Sequence, residues 1–294
     1  MKRSTLILGG LFLLLVVIAL LLMQKPGEVS TTEIEGSPLL EVDSLSVDKI
    51  EISSPSLKVV LEKKGVEWHI QHPVIYRADQ ANVGTLIQQL KNLRAKATVS
   101  SNPEKQSVFQ VDSTGVWVTL FEKGAEKAKL IVGKMGPTFS ETYVRLANSN
   151  EVHLAEGIYT YTLNRAVKEW RDRTIASVPR ENIKEITYQY GDTTFAIVLR
   201  DSVWMIGKEK ANESEVNSLL STLSNLTADD FVDIPPNPSP RFRTSVSYGG
   251  VQLLLAEVRD QNKYFVRTST TSQWFEIQPW RANQILKRRK DFLK

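Results

Sequence analysis

Residues 78–93 read ADQANVGTLIQQLKNL, and residues 211–226 read ANESEVNSLLSTLSNL. Both segments contain the apolar spacing V-x2-L-x3-L-x2-L, which forms one narrow apolar stripe along a helix. Asp79 and Asn212 stand just before these helices, where an N-cap side chain accepts a backbone hydrogen bond. Because residue types and spacing agree in both segments, we predict that the chain contains two copies of one structural unit.

The sequence before each helix repeats in the same way. Apolar residues alternate at positions 57, 59 and 61 of the first copy and at 195, 197 and 199 of the second. This period of two predicts a strand with one buried face. Trp68 and Trp204 then follow at matched positions after a turn, which favours core packing for both rings.

The second half of each copy predicts further strands and a closing helix. The strands are Val116–Phe121, Leu130–Val132, Tyr143–Leu146 and Val152–Leu154 in the first copy, and Ser245–Tyr248, Val251–Val258, Tyr264–Thr268 and Trp274–Ile277 in the second. The closing helices run from about Tyr159 to Arg171 and from about Pro279 to Phe292, where Pro279 suits a first helical turn. Short strands with two isolated helices per copy predict an α+β fold with antiparallel sheets.

The N-terminus predicts a transmembrane helix. Ser4–Met23 is an uncharged, mostly aliphatic segment of twenty residues, which as a helix spans about 30 Å, the thickness of a bilayer core. A cleaved signal peptide has a shorter apolar core and a small-residue exit. We therefore interpret the segment as an uncleaved signal-anchor, with a cleaved signal as the alternative.

Charge around this segment predicts its orientation. Lys2 and Arg3 precede the span, whereas the residues after it are mainly acidic. Basic residues stay on the cytoplasmic side of a membrane. We therefore expect a single-pass protein of the inner (cytoplasmic) membrane, with a cytoplasmic N-terminus and a periplasmic or other extracytoplasmic body.

These patterns divide the chain into four predicted parts. They are a transmembrane helix at 1–25, a flexible tether at 26–44, and α+β repeats at 45–178 and 179–294. The second repeat contains the proline-rich segment Ile234–Pro240, whose stiff backbone serves either as a rigid connector or as a contact surface.

Composition excludes several classes of protein. The chain has no cysteine, which excludes disulfides, thiolate metal sites and a cysteine nucleophile. The formal net charge is +4, but six of the basic residues lie in the last fourteen positions of the chain. The body between the two termini is therefore mildly acidic, which is not the pattern of a nucleic-acid binder.

The sequence carries no recognisable catalytic motif. It has neither a phosphate-binding loop nor a G-x-S-x-G nucleophile elbow. His69 and His72 are three positions apart on a strand, where their side chains point to opposite faces, and His153 stands alone, so we expect no metal site. Asp229 and Asp230 are interpreted as solvated loop acids rather than as an acid–base pair. We expect no cofactor and no small-molecule ligand.

Two groups of side chains near the C-terminus are candidate contact surfaces. The first, which we call the aromatic triplet, forms either an exposed platform for a glycan or peptide or a packing layer between helix and sheet. The second, the basic triplet, forms either a solvated helix end, favoured by the helix dipole, or a site for anionic lipid or an acidic partner. The aromatic triplet is Tyr264, Trp274 and Trp280, and the basic triplet is Lys287, Arg288 and Arg289.

The chain resembles the bacterial "domain of unknown function 4340" family over about residues 44–292. The matching residues are Ile50, Ile52, Trp68, Ala78, Asp79, Val83, Leu86, Leu90, Leu93, Arg171 and Asp172. The second copy departs from the pattern, because Asn212 stands where the first copy has Asp79. Genes of this family commonly lie beside those of an ABC-2-type transporter and its gliding-motility-like auxiliary subunit. The resemblance therefore implies an accessory role, with the permease or auxiliary subunits of an ABC transporter as partners, and it brings no assigned active residues.

The functional hypothesis is a membrane-anchored accessory subunit that is not an enzyme. One alternative is an envelope module that binds a glycan or peptide through the aromatic triplet. A second alternative is a hydrolase whose acidic residues come from both copies.

Overall fold

The structure is a computed structural model that describes residues 36–293. The predicted span Ser4–Met23 lies outside the described residues. Within residues 36–293, no helix has both the length and the apolar character that crossing a membrane requires. The chain divides after Val167 into two compact units, which we call the first unit and the second unit.

The first unit is built on one ten-stranded antiparallel sheet. Its strand order is β1-β6-β10-β9-β8-β7-β2-β3-β4-β5. The elements are β1 (Ser37–Pro38), β2 (Val47–Ser54), β3 (Leu57–Lys64), β4 (Glu67–His72), β5 (Tyr76–Arg77), α1 (Gln80–Lys91), β6 (Arg94–Ser100), β7 (Val116–Glu122), β8 (Ala125–Met135), β9 (Glu141–Leu146), β10 (Val152–Glu156) and α2 (Thr160–Leu163).

The second unit is built on a nine-stranded antiparallel sheet and a separate two-stranded pair, β11-β16. The order of the large sheet is β15-β14-β13-β12-β18-β19-β20-β21-β17. The elements are β11 (Thr174–Ser177), β12 (Glu185–Tyr190), β13 (Thr193–Arg200), β14 (Val203–Ile206), β15 (Glu209–Lys210), α3 (Glu213–Ser224), β16 (Asn225–Thr227), β17 (Asp230–Val232), β18 (Thr244–Tyr248), β19 (Val251–Val258), β20 (Lys263–Thr268), β21 (Trp274–Ile277) and α4 (Pro279–Ile285).

Both large sheets follow the same path. In the first, β5-β4-β3-β2 is followed by β7-β8-β9-β10 and then by β6; in the second, β15-β14-β13-β12 is followed by β18-β19-β20-β21 and then by β17. In each unit a helix follows the edge strand at which this path begins, β5 or β15. The chain then goes to the far edge of the sheet and returns across it to the centre. The predicted α+β class with antiparallel pairing is confirmed.

The two predicted helices after β5 and β15 form as expected. The side chain of Asp79 accepts a hydrogen bond from the backbone N of Asn82 at 2.9 Å. Asn212 accepts from the backbone N of Ser214 at 3.0 Å and of Glu215 at 3.3 Å. Each cap supplies an acceptor to backbone donors that have no partner within the helix. The apolar stripe of each helix is buried, through Val83, Leu86, Ile87 and Leu90 in α1 and Val216, Leu219, Leu220 and Leu223 in α3.

The predicted closing helices are wrong as continuous elements. The segment from Tyr159 to Arg171 contains only α2 and a short 3-10 turn at Val167–Glu169. The segment from Pro279 to Phe292 contains α4 and a 3-10 turn at Arg289–Phe292. In the second unit, tertiary hydrogen bonds use carbonyls at the end of α4: the hydroxyls of Tyr188 and Tyr190 donate to the carbonyl oxygens of Ile285 and Lys287.

Part of the predicted tether belongs to the first unit. β1 pairs with β6 at Ser37 and Ala95, and Leu40 is buried. The pairing of Leu39 N with the carbonyl oxygen of Leu93 at 3.1 Å extends this contact. Residues 36–44 are therefore folded against the sheet rather than forming a flexible linker.

Candidate binding groove on the second unit

Strands β18, β19 and β20 present a row of side chains on the face of the sheet opposite the core. Alternate residues of these strands, such as Leu253 and Val266, are buried in the core that contains α3. Because side chains alternate along a strand, Ser245, Leu254 and Arg267 point to the other face, which we call the outer face. Ser245 lies opposite Leu254, and Leu254 lies opposite Arg267.

Arg267 lies against two aromatic rings on this outer face. Its guanidinium carbon is 5.7 Å from the ring centre of Phe242 and 5.2 Å from that of Trp274. The two rings are 5.1 Å apart and meet edge to face. Both contacts are within the range in which a ring face attracts a cation. The rings therefore hold the guanidinium in place over the sheet.

The Nε atom of Arg267 is buried and has no hydrogen-bond partner among residues 36–293. A guanidinium has five N–H donors and no acceptor, and a buried donor without an acceptor costs free energy. Because this donor is buried, it is a feature of the packing around Arg267 rather than an exposed point of attachment.

A groove of about 460 Å³ lies beside this cluster. Cationic, aromatic, amide and aliphatic groups line it, together with the carboxylate of Asp192 at its rim. These groups suit recognition by hydrogen bonds, ring contacts and charge. The residues that line it include Gln189, Phe242, Arg243, Ser245, Gln252 and Leu254.

The first unit carries a corresponding row on its outer face. Trp117 lies opposite Ile131, and Ile131 lies opposite Arg145. Because the two sheets share one strand order, Arg145 corresponds to Arg267 and Trp117 corresponds to Ser245. The second unit therefore keeps the arginine of the row but has a small residue in place of the indole ring.

Residues 102–112 cover the outer face of the first unit, and we call them the covering segment. The rings of Phe109 and Tyr143 have centres 4.7 Å apart, and Val111 is fully buried. The Nε atom of Arg145 donates to the carbonyl oxygen of Val111 at 3.0 Å. The first unit thus supplies from its own chain the acceptor that Arg267 lacks.

Gly133 allows the covering segment to approach the sheet. A Cβ at this position would lie 2.1 Å from the carbonyl oxygen of Phe109. The second unit has Ala256 at the corresponding position, two residues after Leu254, as Gly133 is two residues after Ile131. Ala256 carries the methyl group that, at Gly133, would overlap the backbone of the covering segment.

Gly133→Ala is expected to lower the free energy of unfolding of the first unit by about 1–3 kcal/mol, because the added methyl group overlaps the backbone of the covering segment. Gly84→Ala is the control, since nothing lies within 4 Å of a Cβ there. That change is expected to stabilise α1 by about 0.5–1 kcal/mol. Chemical unfolding followed by circular dichroism measures both. If both variants changed the free energy of unfolding equally and in the same direction, the close approach of the covering segment to Gly133 would be contradicted.

The structure does not bring the aromatic triplet together as one platform. Trp274 is buried on the outer face beside Arg267, whereas Tyr264 lies opposite Ile277 and packs against the core. Burial, aided by the charge of Glu257, raises the pKa of Tyr264. The ring of Trp280 is 55% exposed.

Each member of the basic triplet contacts a residue of its own unit. Lys287 forms an ion pair with Glu215 at 3.3 Å, and Arg289 forms one with Glu209 at 2.6 Å. The guanidinium carbon of Arg288 lies 3.7 Å from the ring centre of Tyr190. The triplet therefore helps to attach the C-terminal segment to the rest of the second unit.

Asp229 and Asp230 each form an ion pair, and the side chain of Asp230 stays 36% exposed. Asp229 accepts from Arg281 at 2.9 and 3.1 Å and from the backbone N of Gln278 at 2.8 Å. Asp230 pairs with Lys168 at 2.7 Å. Burial alone raises the pKa of Asp229, but the hydrogen bonds from Arg281 and Gln278 outweigh it and hold the pKa below its ordinary value of 3.8. These contacts give the pair a structural role.

The histidines do not meet in one site. His69 and His72 lie on β4, and His153 contacts the hydroxyl of Thr98 at 3.2 Å. Over the part of the chain that the structure describes, no three His, Cys, Asp or Glu side chains are grouped so that they could hold a metal ion.

Asp229→Asn is expected to lower the free energy of unfolding by about 1–2 kcal/mol at pH 7, because Arg281 loses its anionic partner. A carboxylate whose pKa is depressed by folding stabilises the protein above its unfolded pKa, and this contribution disappears as the pH falls through the folded pKa. The difference in the free energy of unfolding between Asp229→Asn and the wild type should therefore become smaller below about pH 4. Asp260→Asn, at an exposed turn, is the control. A difference that is constant from pH 7 to pH 3 would contradict the ion pair.

Sequence reasoning missed the main residues of the groove. Phe242 and Arg243 follow the proline-rich segment, for which the sequence predicts only a rigid connector or a contact surface. The similarity between Tyr143-Val144-Arg145 and Phe265-Val266-Arg267 indicates that Arg267 occupies the same position in the second copy as Arg145 in the first. The sequence does not show the environment of Arg267, because its ring contacts join residues that are far apart in the chain.

Comparison with known proteins identifies a family and no characterised relative. No curated protein and no solved structure matches the chain. The family model described as "Domain of unknown function (DUF4340)" matches residues 68–245. This range begins at Trp68 in β4 and ends at Ser245 in β18, so it takes in parts of both units. The chain belongs to the DUF4340 family.

Proposed function

We propose that the protein is a single-pass, membrane-anchored accessory subunit whose body binds a partner outside the inner membrane. It acts by binding, without a catalytic step of its own. The observation that carries this proposal is the groove on the second unit, which Arg243, Phe242 and Gln252 line beside the Arg267 cluster. Its lining of cationic, aromatic and amide side chains suits recognition of another molecule.

The proposed partner is an ABC-type export system, through its permease or auxiliary subunits. Membership of the family supports this partner class, through the gene neighbours that the resemblance implies. The apolar segment Ser4–Met23 supports a position in the same membrane, since its length matches a bilayer core.

We also propose that the two units are copies of one ancestral unit. The common strand order of the two sheets supports this, as do the matched helices that begin at Asp79 and Asn212. In such a pair one copy can keep a covered outer face while the other is free to bind.

Co-purification tests the function. The full-length chain is extracted in a mild detergent, and the recovered proteins are identified by mass spectrometry. We expect permease or auxiliary subunits of an ABC transporter in the eluate, at higher recovery than with a secreted version in which a cleavable signal peptide replaces residues 1–25. Recovery of the body alone and monomeric would contradict the proposal.

An envelope module that binds glycans is the second candidate. The exposed ring of Trp280, with the guanidinium carbon of Arg281 at 4.5 Å from its centre, favours it. Binding to a glycan array that is lost in Trp280→Ala would support this candidate.

A further inference from the structure

The first unit shows which groups pack against the outer face of its sheet. Its covering segment forms two short 3-10 turns, Pro103–Lys105 and Ser107–Phe109, and places the apolar side chains of Phe109 and Val111 against the strands. The carbonyl oxygen of Val111 satisfies the Nε atom of Arg145. An apolar side chain and an acceptor oxygen, a few residues apart, are therefore the two features that the row recognises.

The second unit covers the equivalent place only in part. Its connection from β17 to β18 contains the proline-rich segment, of which residues 233–239 are exposed. Phe242 is the residue of this connection that reaches Arg267 and Trp274. The groove lies over Ser245, at the position where the first unit has the ring of Trp117. The missing ring leaves room for an aromatic side chain.

Charge favours an anionic acceptor. Arg243 lines the groove and is exposed, and Arg267 contacts Phe242, another residue of the groove lining. Two guanidinium groups bind a carboxylate more strongly than a neutral carbonyl, because charge-assisted and bidentate hydrogen bonds are available. Asp192 at the rim would repel an acid placed on its side, which orients the ligand.

We propose that the groove on the second unit binds a peptide segment of the partner protein that carries an aromatic side chain and a carboxylate within a few residues of each other. The aromatic side chain fills the space over Ser245, and the carboxylate pairs with Arg267 and Arg243. The identification of the ligand as part of a partner rests on the proposed function; the groove itself does not.

An array of acetylated peptides tests this assignment. Each peptide carries one aromatic and one acidic residue at one to three positions apart, and two control arrays replace the acid by lysine or the aromatic residue by alanine. The full-length protein in mild detergent is the probe. We expect binding to the first array to exceed binding to either control about tenfold. Equal signals on the three arrays would overturn the assignment.

Three variants locate the binding. Arg267→Gln and Arg243→Gln are each expected to weaken binding to the best peptide about tenfold. Arg259→Gln is the matched control, because this arginine lies in the β19–β20 turn with an exposed side chain and its loss changes the net charge equally. Thermal unfolding of each variant establishes that it is folded. Binding that persists in both groove variants, or that falls equally in the control, would place the site elsewhere.

Co-purification of the same variants separates this assignment from the proposed function. If transporter subunits accompany the wild type but are lost with Arg243→Gln and Arg267→Gln, the groove is the docking site. If they accompany the variants as well as the wild type, the peptide assignment fails while the accessory function stands. Peptide binding without any co-purifying subunit would support the groove and contradict the accessory function.

Discussion

Phe292→Ala is expected to lower the free energy of unfolding of the second unit by about 3–5 kcal/mol, the range for removing a fully buried aromatic side chain. The ring of Phe292 is completely buried, with its centre 6.4 Å from that of Tyr188. Its carbonyl oxygen also accepts from the backbone N of Asn212 at 2.8 Å, at the start of α3. The C-terminal segment is thus attached to the core by a ring and to the helix by its backbone.

The neighbouring residue provides the control for this prediction. Leu293 is 37% exposed, and Leu293→Ala is expected to change the free energy of unfolding by less than about 1 kcal/mol. Chemical unfolding of the full-length chain in mild detergent, followed by circular dichroism, measures both variants. If the two variants shifted the transition equally, the C-terminal segment would not be docked as described.

Attachment of this segment also changes the titration of the tyrosines beneath it. Burial raises the pKa of Tyr190 to about 12, although the charge of Arg288 acts in the opposite direction. The hydroxyl of Tyr190 donates to the carbonyl oxygen of Lys287 at 2.7 Å. The basic triplet is therefore part of a folded contact, and its lysine and arginines are expected to contribute to stability through their ion pairs and ring contact.

Trp68→Ala is expected to lower the free energy of unfolding of the first unit by about 3–5 kcal/mol, whereas Trp204→Ala is expected to cost the second unit about 1–3 kcal/mol. The two rings occupy matched positions, but Trp68 is only 7% exposed and Trp204 is half-buried at the side of its core. The smaller buried area of Trp204 gives a smaller loss. The backbone of Trp68 also exchanges two hydrogen bonds with the side chain of Gln80, at 2.8 and 3.0 Å.

Hydrogen exchange measured by mass spectrometry distinguishes these two variants. Trp68→Ala should reduce protection in β3 and β4, and Trp204→Ala should reduce it less in β13 and β14. Trp280→Ala is the control, because that ring is mostly exposed. Equal loss of protection in both units would contradict the difference in burial.

Much of the fold was predictable because it depends on local patterns of residues in the sequence. Alternating apolar residues located β3 and β13, and the predicted strand Val251–Val258 matches β19 in both of its bounds. Asp79 and Asn212 marked the starts of α1 and α3, since a capping side chain acts on its own chain neighbours. Each of these features depends only on residues that are close to it in the sequence.

Other elements escaped prediction because their pattern is not local. β6 has mostly exposed side chains and no regular alternation, and it forms by pairing with β10 and β1. The helix predicted from Pro279 to Phe292 breaks after Ile285, where the hydroxyls of two tyrosines from β12 take up carbonyls near its end. Tertiary partners outweighed helix propensity at this point.

Periodicity and capping residues were sufficient to specify the class of fold, its two similar units and the helices that begin them, because these properties depend on neighbouring residues. The candidate groove depends on contacts at long range. Ser245, Leu254 and Arg267 lie side by side because three strands pair, and Phe242 reaches them because the chain crosses the sheet between its edge and its centre. The difference between a covered and an open outer face therefore came from the tertiary structure, in which a glycine in one unit and an alanine in the other set how closely a crossing segment approaches the strands.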